Sequence, residues 1–100
     1  MNTFDEVFNL IRDIPKGKVS TYGAIGKKLN LNPRVVGYAL HANRNPDINP
    51  CHRVVNKFGR VAPGYAFGGP GIQKKLLEQE GVNFLDDEKV DLKQYEYIFT

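Results

Sequence analysis

The sequence predicts a mainly α-helical fold with a small β element, organised like a winged helix-turn-helix, and three observations carry that prediction. Apolar residues recur at helical spacing in three stretches ahead of residue 43. The second and third stretches are separated only by the short polar Asn30-Leu31-Asn32 and then Pro33. The apolar pair Val54-Val55 is followed by a turn and a second short extended piece, which together read as a hairpin or wing.

In the first helix Phe4, Val7, Phe8 and Ile11 follow i, i+3, i+4, i+7, with Thr3 as cap, Asp5 and Glu6 in the first turn, and an end near Asp13. Pro15-Lys16-Gly17-Lys18 is a basic turn, and Ser20 or Thr21 caps a second helix whose apolar face is Tyr22, Ile25 and Leu29. Pro33 suits the first position of the third helix, because its missing N–H has no partner there in any case. Asn43 to Pro50 holds three Asn, an Asp and two Pro and must be loop. Asn56 to Gly59 turns the chain between Val54-Val55 and Arg60-Val61-Ala62. Beyond a glycine-rich loop, a last helix over Ile72 to Glu80 is apolar at Ile72, Leu76 and Leu77 and is stopped by Gly81. The tail from Asn83 is expected to pack back as a strand or extended arm.

At 100 residues, 41% hydrophobic and 25% charged, the chain fits one soluble globular domain, residues 1–100, with room for a single simple site. The net charge of +3 is too small to name a partner, but its distribution is informative. Residues 1–60 carry ten basic and four acidic side chains, whereas residues 61–100 carry four and seven, so phosphates are expected at the first part. A lone cysteine favours a reducing compartment, cytoplasmic or nuclear. No apolar run approaches the roughly 20 residues that span a bilayer, so neither a signal peptide nor a membrane partner is expected.

Cys51 and His52 stand between Pro50 and Arg53. A thiol is only a few per cent ionised at neutral pH, so a nucleophilic cysteine needs a base or a positive environment, and His52 and Arg53 offer both. Taken alone, Cys51 is as well read as a small buried hydrophobe. Cys51, His52 and His41 lack the spacing of a zinc site, so no metal and no cofactor are expected.

The surrounding string alters that balance. Pro50-Cys51-His52-Arg53-Val54-Val55 resembles the active-site motif of the O6-alkylguanine-DNA alkyltransferases. Arg34-Val35-Val36-Gly37-Tyr38-Ala39-Leu40 with Asn43 resembles their arginine, small-residue helix and asparagine hinge. Gly17-Lys18-Val19-Ser20-Thr21-Tyr22, Gly64-Tyr65-Ala66-Phe67-Gly68-Gly69 and Leu76-Leu77-Glu78-Gln79-Glu80-Gly81 resemble three further segments, so the likeness runs from Phe4 to about Val82. It departs at Tyr38, where the family often has a small residue, and at Phe67, which lengthens the glycine loop by one. Full-length members also usually place another domain ahead of the matching segment.

The resemblance implies a monomeric repair protein that flips O6-alkylguanine out of double-stranded DNA and transfers the alkyl group irreversibly to Cys51. In that picture His52 takes the thiol proton through water and Glu80 orients the imidazole. Tyr22, Arg34, Gly37, Asn43 and Arg53 form the DNA-binding set: Arg34 enters the duplex, Tyr22 crowds the 3′ phosphate, and Asn43 holds the hinge. Lys16, Lys18, Lys27 and Lys28 add phosphate attraction, or are an ordinary solvated face. Tyr65, Ala66 and Gly68 line the base pocket, with Tyr65 donating to the leaving guanine. Two other readings stay open: an alkyltransferase-like protein that binds the lesion, leaves it unrepaired and recruits excision-repair proteins, and a winged-helix regulator that reads sequence.

Overall fold

The computed structural model describes residues 2–63, 65 and 67–100. Helix α1 (Thr3–Ile11) is capped one residue earlier than expected, by Asn2, whose side-chain oxygen accepts from the Asp5 N–H at 2.9 Å. A turn leads to strand β1 (Ser20–Thr21), and Thr21 caps α2 (Tyr22–Leu29) by accepting from the Ala24 N–H at 3.0 Å. Asn30 ends α2 in the left-handed region (φ 59°), and Asn32 then caps α3 (Pro33–His41), with Pro33 in its first turn. Gly26 makes this junction possible: a Cβ there would stand 2.5 Å from the Leu31 carbonyl oxygen.

A loop then reaches a 3₁₀ turn (Cys51–Arg53), strand β2 (Val54–Val55), helix α4 (Pro70–Gln79) and the short helix α5 (Leu92–Tyr95). Helices α1, α2 and α3 pack on one another around a first core of Val7, Ile11, Ile14, Ile25, Val36, Ala39 and Leu40, which Cys51, Val54 and Tyr65 complete. Val19, Val55, Val61, Leu77, Val82, Val90 and Tyr95 form a second core. Successive strand residues point to opposite faces. Val54 and Val55 therefore go one into each core, and β2 is the partition between them.

Three expectations are corrected. Val54-Val55 does not fold into a hairpin with residues 60–62: it pairs in parallel with β1, Ser20 beside Val54 and Thr21 beside Val55. The turn at Asn56 does form, held by the Asn56 side chain accepting from the N–H groups of Phe58 and Arg60, but Arg60 then bridges antiparallel to Lys89. The tail is not wholly extended, since α5 interrupts it, capped by Asp91. Ile72 is 41% exposed and lies outside both cores; the inward face of α4 is carried by Gln73, Leu76 and Leu77.

Candidate active site and the groove beside it

The loop before the cysteine is closed by one side chain. Asn43 is fully buried; its amide donates to the Asn49 carbonyl at 2.9 Å, and its oxygen accepts from the Asn45 N–H at 3.0 Å and from Asn49 Nδ2 at 3.2 Å. The Cys51 N–H donates to the same Asn49 carbonyl at 2.7 Å, so the hinge fixes where the 3₁₀ turn begins. The turn is tight enough to send adjacent side chains to different places. Cys51 faces a small pocket, and His52 faces α4.

His52 Nε2 lies 2.9 Å from Glu80 Oε2 at the C-terminal end of α4. Arg53 grips the same carboxylate with two donors, Nε to Oε1 at 3.0 Å and an Nη to Oε2 at 2.8 Å, and its other Nη donates to the Ile14 carbonyl at 2.8 Å. Burial pulls the Glu80 carboxyl upward, but hydrogen bonds from Arg53 and His52, reinforced by their charges, hold it below its usual value. Glu80 is thus a fixed anion behind the imidazole.

Cys51 is 6% exposed, and burial pushes its thiol up from the ordinary value, only partly offset by hydrogen bonds with Asn43 and Tyr65. At neutral pH it is protonated and needs a base. Its sulfur donates to Tyr65 Oη at 3.9 Å. Burial, and then the neighbouring Cys51 charge, raise the Tyr65 phenol well above its ordinary range, and Tyr22 is raised for the same two reasons. Both phenols stay protonated and can donate.

Tyr22, Gly37, Leu40, His41, Cys51, Ala62, Tyr65 and Gln73 line the thiol pocket, whose 60 Å³ admits a few waters but not a bicyclic base. Tyr22, Gly37 and His41 also line an open groove of about 790 Å³ along α3, together with Asn32, Pro33, Arg34 and Tyr38. Those three shared residues form a threshold between groove and thiol. Gly37 keeps it low, for nothing lies within 4 Å of where its Cβ would stand. Tyr38, 59% exposed, projects into the groove four residues after Arg34, on the same helix face.

Most of the expected site therefore meets in one place, with some members reassigned. Arg53 and Asn43 are not on the groove: the first is committed to Glu80 and Ile14, the second is buried in the hinge, so both position the turn. Lys18 and Lys28 donate to tail carbonyls, of Gln94 and Thr100. Gly68 (φ +126°) must be glycine, since a Cβ would meet the Ile72 side chain at 2.6 Å, and Phe67 packs edge-on against Tyr65 with ring centroids 5.8 Å apart. Ala66 lies outside the described residues. Two residues escape sequence reasoning. His41, set aside there as a metal ligand, stands at the threshold, and Gln73, which looks like an ordinary helix-surface residue, is fully buried against the turn.

A helical fold that seats a protonated thiol, an imidazole with a fixed anion behind it, and a groove ending at the sulfur is that of the DNA-binding domain shared by alkyltransferases and alkyltransferase-like proteins. The chain belongs to the family described as 6-O-methylguanine DNA methyltransferase, DNA binding domain, whose model matches residues 2–82. It is 46% identical over 82 residues to the methylated-DNA--protein-cysteine methyltransferase of Methanocaldococcus jannaschii, covering 80% of this chain and 46% of that protein. Against the protein of the same name from Methanopyrus kandleri it is 49% identical over 76 residues, 76% of this chain and 56% of the relative. The chain thus spans about half the length of these relatives. Its fold matches the crystal structure of S. pombe Atl1 in complex with damaged DNA containing O6-carboxymethylguanine, with a TM-score of 0.85 at 31% identity over 97% of this chain and 98% of that one. It also matches the O6-methylguanine-DNA methyltransferase of Pyrococcus kodakaraensis KOD1, with a TM-score of 0.71 at 38% identity over 82% of this chain and 47% of that one.

Proposed function

We propose that the protein binds duplex DNA along the α3 groove, receives a flipped O6-alkylguanine over the threshold, and moves the alkyl group to Cys51. The observation that carries this reading is the position of the thiol, at the end of the groove and one residue from a His52–Glu80 pair 2.9 Å apart. In the proposed step the thiol proton passes through water to His52, and the sulfur attacks the alkyl carbon. The S–C bond forms as the C–O6 bond breaks, and the guanine leaves with the bonding pair, taking a proton from Tyr65 that solvent replaces. The thioether resists hydrolysis, so each molecule reacts once. A base exceeds 60 Å³, so its entry requires lining side chains to draw back. A reducing compartment, cytoplasmic or nuclear, suits a reaction that needs a free thiol.

The test is intact mass after incubation with an O6-methylguanine duplex. The expected result is one added methyl, on Cys51, reaching one equivalent and absent from Cys51→Ala. A second reading, lesion binding without transfer and recruitment of excision-repair proteins, is favoured by the match to Atl1 over nearly the whole of both chains, which includes the tail beyond residue 82. Unmodified Cys51 in a protein that still prefers the lesion would decide for it.

A further inference from the structure

Gln73 is fully buried on the inner face of α4 and makes three hydrogen bonds. Nε2 donates to the His52 carbonyl at 3.1 Å and to the Val54 carbonyl at 2.9 Å, and Oε1 accepts from the Ala62 N–H at 2.9 Å. Two carbonyls on one side and an N–H on the other admit only one orientation of the carboxamide. The first two bonds hold backbone at and just after the turn that carries Cys51 and His52; the third holds the start of the loop that leads to Tyr65. The side chain also lines the thiol pocket.

A buried amide is costly unless its partners are complete, and here they are supplied by the two backbone segments that enclose the sulfur. Hydrophobic packing alone would be met at this position by a leucine or methionine of similar size. We infer that Gln73 is a positioning residue, which locks the Cys51–Arg53 turn against the Tyr65 loop so that sulfur and imidazole keep one fixed arrangement at the end of the groove. This rests on the proposed alkyl transfer for its consequence, but not for its geometry.

Two rates separate this role from simple packing. One is alkyl transfer from an O6-methylguanine duplex. The other is alkylation of Cys51 by iodoacetamide, in which the S–C bond forms, the C–I bond breaks, iodide leaves and the thiol proton goes to solvent. In Gln73→Met, which keeps the volume and loses all three bonds, a loosened turn exposes the sulfur while spoiling its aim. The expected result is faster iodoacetamide reaction, by about threefold or more, and transfer slower by about tenfold or more, both measured well below the unfolding temperature. Gln73→Glu keeps an acceptor for Ala62 and, ionised or protonated, loses at least one of the two donations to the turn, so it is expected to shift both rates in the same directions as Gln73→Met and gives a second variant if the first fails to fold. Either variant folded, with both rates within twofold of the parent protein, overturns the inference. If the parent itself transfers no methyl group, the reading of function fails, and the iodoacetamide arm still decides whether Gln73 holds the turn.

Discussion

At the residue scale the site turns on how Glu80 is held. Its carboxyl lies below its ordinary value in the folded chain because Arg53 and His52 bond to it. A depressed carboxyl adds stability that is present above the ordinary carboxylate range and lost as pH falls through the lowered value. Glu80→Gln should therefore destabilise the protein at pH 7 by about 1–3 kcal/mol, the scale of a hydrogen bond to a charged group. The gap between parent and variant in urea denaturation should close as the pH is taken down toward 3; a gap independent of pH would mean that the charge contributes nothing. The gathering of Cys51, His52 and Glu80 was legible in the sequence because they stand in two strings, Pro50 to Val55 and Leu76 to Gly81, that resemble the motifs of one family. The position of Arg53 was not, since an arginine shows its charge in sequence but not the carboxylate that takes it.

At the scale of elements two glycines separate packing from function. Gly26 sits where a Cβ would meet the Leu31 carbonyl oxygen at 2.5 Å, and that atom belongs to the backbone of the α2–α3 turn, so it cannot swing aside. Gly26→Ala should cost about 1–3 kcal/mol, the usual penalty for forcing backbone to shift in a packed region. Gly37 is the opposite case, mid-helix with nothing within 4 Å of its missing Cβ. Gly37→Ala should raise stability by about 0.5–1 kcal/mol, yet weaken binding to O6-methylguanine duplex, because the new methyl rises at the threshold to the thiol. Thermal unfolding and a fluorescence binding titration check the pair, and tighter binding by the Gly37 variant would remove the threshold from the account. The three N-terminal helices were legible because each combines apolar periodicity with a side-chain cap. The pairing of Val54-Val55 was not. A two-residue strand carries no mark of its partner, and the chain chose Ser20-Thr21, far back in sequence, over the piece beyond the next turn.

At the scale of the whole molecule, the tail beyond residue 82 supplies Val90 and Tyr95 to the second core. Val19 donates its N–H to the Tyr95 carbonyl at 2.9 Å and accepts from the Tyr97 N–H at 2.7 Å, which lays the tail beside the chain leading into β1. Val90 and Tyr95 then close over Val55, Val61, Leu77 and Val82. The alternating acids and apolar residues of this stretch gave no period to read, because its few apolar anchors are separated by turns rather than set along one long element. Function and stability should accordingly divide at β2: the thiol pocket and the α3 groove draw on the first core, against which Tyr97 and Phe99 of the tail also pack, whereas Val90 and Tyr95 belong to the second. Val90 is fully buried, and Val90→Ala removes two methyl groups there, which should cost about 2 kcal/mol from lost burial and the cavity left behind. Because β2 stands between that cavity and Cys51, methyl transfer and lesion affinity measured well below the unfolding temperature should stay within twofold of the parent. A folded Val90→Ala protein that lost transfer in proportion to its stability would show that the two cores act as one, and that the aim of the sulfur depends on packing across the partition.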